Sequence, residues 1–96
     1  MSAQTLKVLC AFAANSRDEL PGVEIMRETR LSPGTVYPIL ARLERAGWLL
    51  SRWECEEPAA LGRPRRRFYR ITALGSRNAR EALSDLQPLL GRVART

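Results

Sequence analysis

At 96 residues the chain has enough material for one domain core and too little for two. Its 45% hydrophobic and 27% charged residues exclude a disordered polymer. A net charge of +6 favours a polyanionic partner such as nucleic acid.

Histidine is absent, which removes the commonest general base, the Ser–His and Cys–His nucleophile pairs and the commonest metal ligand. The carboxylates are scattered rather than clustered for metal ions, so an enzyme acting on nucleic acid is also disfavoured. Cys10 and Cys55 stand in no metal-ligand spacing and read as reduced structural thiols. No enzyme, metal or cofactor is expected. With no apolar run near the ~20 residues of a membrane span and no leader pattern, the sequence reads as cytoplasmic, with no membrane partner.

In chain order, Ser2 to Asn15 reads as a helix with Leu6, Leu9, Cys10 and Ala13 on one buried face. Val8 and Phe12 point the other way, and a helix apolar on two sides needs two neighbours. These two residues are therefore expected at a dimer contact; the alternative is that Phe12 tucks under the following loop. A polar loop containing Pro21 leads into a second helix from about Gly22 to Arg30, with Val23, Ile25 and Met26 on its apolar side.

Leu31 to Gly34 then makes a tight turn, with Ser32 placed to cap a third helix and Pro33 suited to a first helical position. This helix ends at Gly47 and is expected to begin near Gly34, which keeps Pro38 inside the first turn. Two helices joined by so short a turn form a helix-turn-helix. Val36, Ile39, Leu40 and Leu43 make the inward stripe. A recognition helix presents its first turns to base edges in the major groove, and here those positions are Ser32, Gly34, Thr35 and Tyr37. Arg42, two turns later, is within reach of the backbone or a guanine edge. The competing readings are that Ser32 only caps, Tyr37 only packs and Arg42 is a solvated charge.

After Gly47 the pattern changes to two β-prone runs, Trp48 to Trp53 and Arg67 to Thr72, around a polar loop with Pro58, Gly62 and Pro64. Such a hairpin after a helix-turn-helix is a wing. From Gly62 to Arg80 there are seven arginines and no acidic residue, and Arg63, Arg65 and Arg66 cluster at the loop, where guanidinium groups suit phosphates or a narrow minor groove. Glu54, Glu56 and Glu57 are expected on the wing's far side, or paired with arginines when DNA is absent. Leu49 and Trp53 share a strand face, so Trp53 is expected in the core. Trp48 is left open between core packing and a stacking surface for an aromatic effector.

The last segment is helical again behind Thr72. Ala79, Leu83, Leu86, Leu90 and Val93 follow the 4, 3, 4, 3 spacing of a coiled-coil seam, interrupted by Pro88. The expected fold is mainly α with a small β-wing: a winged helix-turn-helix over residues 1–72 and a C-terminal dimerisation helix over 73–96, in one folded unit. The function these features point to is a sequence-specific DNA-binding regulator that works as a homodimer on double-stranded DNA. The alternative is a winged-helix adaptor for a protein partner.

Leu31 to Leu40, Leu43 to Gly47, Ser51 to Glu54 and Gly62 to Thr72 together resemble the PadR family of bacterial transcriptional regulators. Gly22-Val23 departs from the family's usual Gly-Tyr pair. The resemblance implies a repressor on a palindromic operator, with Thr35, Tyr37 and the wing arginines on DNA. It implies a dimer contact between the last helix and the partner's first helix, and the compact subclass with a single C-terminal helix. It also adds a small planar effector as a candidate partner.

Overall fold

In the computed structural model, which describes residues 1–15 and 18–85, the chain opens with helix α1 (Ala3–Ala14). Ser2 caps it, its Oγ accepting from the Thr5 amide at 3.1 Å. The buried face is Val8, Leu9, Ala11 and Phe12, whereas Cys10 and Ala13 are exposed. The stripe therefore has the expected period but lies one residue out of the expected phase. Enclosing Phe12 and Val8 removes far more apolar area from water than enclosing Cys10 and Ala13; a full aromatic or aliphatic side chain contributes about 1.5–3 kcal/mol. The dimer role expected of Val8 and Phe12 is corrected accordingly, because both are 0% exposed within the protomer's own core.

Strand β1 (Leu20–Pro21) leads into α2 (Gly22–Thr29), and α3 (Pro33–Arg45) follows after a short turn. Val36, Ile39, Leu40 and Leu43 of α3 pack inward as expected, around the fully buried Ile25 of α2. The helix begins at Pro33 with Ser32 as N-cap, so Pro38 lies in its second turn rather than its first. Pro38 cannot donate to the Gly34 carbonyl one turn back. Both residues are exposed, which leaves that carbonyl to water. At the other end Gly47 takes φ +81°. The Trp48 amide bonds the Leu43 carbonyl at 2.9 Å and the Gly47 amide bonds Glu44 at 3.0 Å, the paired bonds of a Schellman stop.

Strands β2 (Leu49–Trp53) and β3 (Arg67–Ile71) form the antiparallel wing, with Leu49 opposite Ile71 and Trp53 opposite Arg67. The loop between them carries the short helix α4 (Pro58–Leu61), and β1 adds to the outer edge of β3 to give the order β1-β3-β2. Sequence periodicity signals neither β1 nor α4, each being too short for a pattern. Leu49, Tyr69 and Ile71 are buried, but Trp53, expected in the core, is 57% exposed. The hairpin runs past the edge of the core, so the strand face covered at Leu49 is open by Trp53. Trp48 is the tryptophan that packs against the core.

Helix α5 (Ala73–Ser84) returns across α1. Thr72 caps it by accepting from the Gly75 amide at 3.0 Å, and the same hydroxyl donates to the Gly47 carbonyl at 2.7 Å. Ala79 is 2% exposed and belongs to the protomer core, so it is not a partner contact either. Leu83 is half-buried, and Leu86, Leu90 and Val93 lie outside the described residues. Cys10 and Cys55 are free and exposed. Among the described residues no helix is long and apolar enough to cross a membrane.

The tightest approach in the fold is at Gly75, where a Cβ would stand 2.2 Å from the Trp48 carbonyl oxygen. That neighbour is backbone and cannot rotate away. Gly75→Ala is expected to destabilise the chain by about 1–3 kcal/mol or more through overpacking, read as a lowered midpoint in thermal melting by circular dichroism. An unchanged midpoint would show that α5 shifts freely on the wing root.

Candidate nucleic-acid interface

The start of α3 is open. Ser32 is exposed and does not cap through its side chain; its Oγ donates instead to Thr35 Oγ1 at 3.3 Å. A Cβ on Gly34 would meet only that Ser32 hydroxyl, at 4.0 Å. Tyr37 is 43% exposed and lies across the start of α2, where a Cβ on Gly22 would stand 2.7 Å from its hydroxyl. Arg42, seven residues after Thr35 and so on the same face, is exposed beside Met1, Ser2 and Thr5 at the far end of the helix.

The wing is held by a carboxylate. Glu54 receives Arg63 in a fork, with contacts of 2.6 and 3.1 Å, and accepts the Arg66 amide at 2.7 Å. The Glu54 amide in turn donates to the Arg66 carbonyl at 2.9 Å. One side chain thus ties both ends of the loop that carries α4. The Glu54 side chain is only 11% exposed. The Arg63 guanidinium, helped by the Arg66 amide, outweighs the cost of burial and holds the Glu54 carboxyl down at about 2, against an ordinary 4.5. The same pairing pushes Arg63 upward.

Two other arginines are also engaged. Arg65 donates to the Glu56 carbonyl at 2.9 Å and pairs with Glu57 at 3.1 Å. Arg67 reaches Glu44 of α3 at 3.1 Å and Ser51 of β2 at 3.0 Å, while Ser51 donates to Glu44. Of the two placements expected for the acidic residues, pairing with arginines describes Glu54 and Glu57. Among the described residues the Arg66 and Arg70 side chains have no carboxylate partner, and both are exposed. The Arg65–Glu57 pair is surface-lying, with Glu57 78% exposed; such pairs contribute about 0–1 kcal/mol, so a phosphate can displace the carboxylate.

Tyr37 of α3, the start of α2 and the wing border one groove. It measures about 470 Å³ and brings Tyr37 together with Arg63, Arg65 and Arg66, and with Trp53, which sequence reasoning assigned elsewhere. Ser32, Gly34 and Thr35, at the N-terminal end of α3, and Arg42, towards its other end, lie outside the groove. Pairing with arginines was one of the two placements expected for Glu54, but the particular partner, nine residues away across a loop, was not indicated, and Glu44, whose partner is twenty-three residues away, had no sequence signal.

A helix-turn-helix whose second helix begins in solvent, followed by a hairpin bearing guanidinium groups beside it, defines a winged-helix regulator of the DNA-binding class. The chain belongs to the Transcriptional regulator PadR-like family, whose profile its residues 21–81 match. Members are transcriptional regulators rather than enzymes, and they bind DNA. The fold is similar to that of a PadR family transcriptional regulator from Eggerthella lenta, with 26% identity and a TM-score of 0.71, covering 95% of this chain and 80% of that one. It is similar in fold alone to Staphylococcus aureus MepR in its DNA-binding conformation, at 17% identity and TM-score 0.74, covering 98% of this chain and 64% of that one. The same holds for Bordetella bronchiseptica BpsR, at 16% identity and TM-score 0.69, covering 99% and 63%. Among curated protein sequences no relative matches.

Because folding lowers the Glu54 pKa, the stability of the clasp is fully present above the ordinary value of 4.5 and is lost as pH falls through about 2. In an acid titration by NMR, the Arg66 amide resonance should move with a midpoint near 2 rather than 4.5, and Glu54→Gln should abolish the transition. A midpoint at the ordinary carboxylate value would remove Glu54 from this role.

Proposed function

We propose that the chain is a sequence-specific repressor that binds an inverted-repeat operator as a homodimer in the cytoplasm. The observation that carries this reading is that Tyr37 of α3 shares a groove with the wing arginines while Ser32 and Gly34 are exposed on the same helix end, which supports simultaneous engagement of a major groove and the adjacent backbone. Ser32, Gly34, Thr35 and Tyr37 face the base edges, with Arg42 further along the same helix. Arg65 and Arg66 take phosphates. Arg63, forked onto Glu54, shapes the wing more than it contacts DNA.

Residues 1–72 supply the DNA-binding part and residues 73–96 the partner contact, in one folded unit. With Val8, Phe12 and Ala79 enclosed, that contact falls to Leu83 and to Leu86, Leu90 and Val93, whose spacing continues the seam. A small planar compound is the kind of effector we assign. The support is the fold likeness to BpsR, whose DNA binding is regulated by 6-hydroxynicotinic acid.

Footprinting should reveal two half-sites about one helical turn (~34 Å) apart. Arg65→Ala combined with Arg66→Ala should weaken binding to all sequences and flatten the slope of log K against log salt by about 1.8, two phosphates' worth. An unchanged slope would reject the phosphate role. Shift assays showing no site preference at physiological salt would favour a protein-binding adaptor instead.

Leu83→Asp with Leu86→Asp should yield monomers in sedimentation that lose specific binding. An intact dimer would move the interface elsewhere.

A further inference from the structure

Base reading by α3 and phosphate contacts by the wing arginines leave the apolar side chains of the groove between α2, α3 and the wing without a task. Trp53 borders it at 57% exposure, with Tyr37 at 43% and Val23 at 40% close by. Large apolar side chains grouped in the open mark a contact surface. The Trp53 ring is also held in place. The Arg67 guanidinium lies 5.5 Å from its centroid, and Arg67 is itself fixed by Glu44 and Ser51. The platform is thus oriented by the same bridge that joins α3 to the sheet.

The charges around the groove are unequal in availability. Arg63 and Arg67 are neutralised by Glu54 and Glu44, and Arg65 is paired with Glu57. Arg66 also lines the groove and has no carboxylate partner among the described residues. The groove therefore offers an aromatic platform beside one unengaged guanidinium. That combination matches a sugar next to a phosphate better than it matches a run of phosphates.

We propose that this groove seats the sugar–phosphate backbone of duplex DNA alongside the base-reading face, with Trp53 stacked on a deoxyribose and Arg66 on the adjoining phosphate. A paired duplex keeps its bases stacked, and extracting one costs a few kcal/mol. Sugars and phosphates are what the flank of a recognition helix meets. The assignment rests on the DNA-binding reading above and adds to it a contact that strengthens binding without releasing a counterion.

Salt dependence separates the two halves of the seat. Trp53→Ala should lower operator affinity about tenfold, equivalent to ~1.4 kcal/mol, at every salt concentration and with the slope of log K against log salt unchanged. Arg66→Ala should reduce the slope by about 0.9. Trp53→Phe, which keeps a flat apolar ring, should retain most of the affinity. In a Trp48→Phe background the emission of Trp53 should change on adding operator DNA. Thermal melting checks that each variant is folded, and the Phe variant reports even where Trp53→Ala is not.

Wild-type affinity in Trp53→Ala together with indifferent Trp53 emission overturns the seat. A reduced salt slope in Trp53→Ala also overturns it, by showing that the ring acts only through the arginine beside it. A wild-type chain that binds no DNA overturns the regulator reading and the seat together, whereas wild-type binding with an indifferent Trp53 overturns the seat alone.

Discussion

Helix α3, the wing and α5 are joined at one junction, where the end of α3, the root of the wing and the start of α5 meet. Gly47 turns the chain out of α3 with a positive φ, its carbonyl receives the Thr72 hydroxyl, and Gly75 presses against the Trp48 carbonyl. The Thr72 amide also bonds Trp48 at 2.9 Å. Three elements are thereby fixed through backbone groups, which have little freedom to relax. A recognition helix needs this kind of support, because base readout tolerates only small misplacements of the helix relative to the rest of the interface.

Electrostatics makes the wing conditional rather than uniformly positive. Composition suggests a dense cationic tip, yet Glu54, Glu57 and Glu44 take up Arg63, Arg65 and Arg67. These pairs differ in kind. The Glu54–Arg63 fork is largely covered and shares its carboxylate with a backbone amide, so it defines the shape of the loop. The Glu57–Arg65 pair is open to water and yields to a stronger anion. The wing can therefore keep its form in the absence of DNA while part of its charge is held in reserve.

How far the sequence discloses this depends on whether a feature is local. The α3 stripe Val36, Ile39, Leu40 and Leu43, the Gly47 stop, the Thr72 cap and the two wing strands were legible, since each rests on neighbours a few residues away. The phase of α1 was not, because stripes beginning at Thr5 or Leu6 both have helical spacing, and the choice is made by what α5 and the sheet place opposite. Trp53 was misassigned for a similar reason: alternation says which face of a strand a residue occupies, not where the core beneath it ends. The carboxylate clasp depends on the path of the loop through α4, which no periodicity records. The helix begins one residue earlier than expected, and Pro38 is tolerated in its second turn because the Gly34 carbonyl it leaves without a donor is exposed to water.

Enclosure of Val8, Phe12 and Ala79 ties α1 and α5 into one core within the protomer. Helix α5 is bound on one side to α1 and at its start to Trp48, and α1 and the wing root in turn pack on α3. In the homodimer proposed above, the angle at which two such helices meet sets the separation of the two α3 helices. On the effector reading proposed above, a compound that alters this angle changes that separation, and half-site spacing on DNA has little tolerance for such a change.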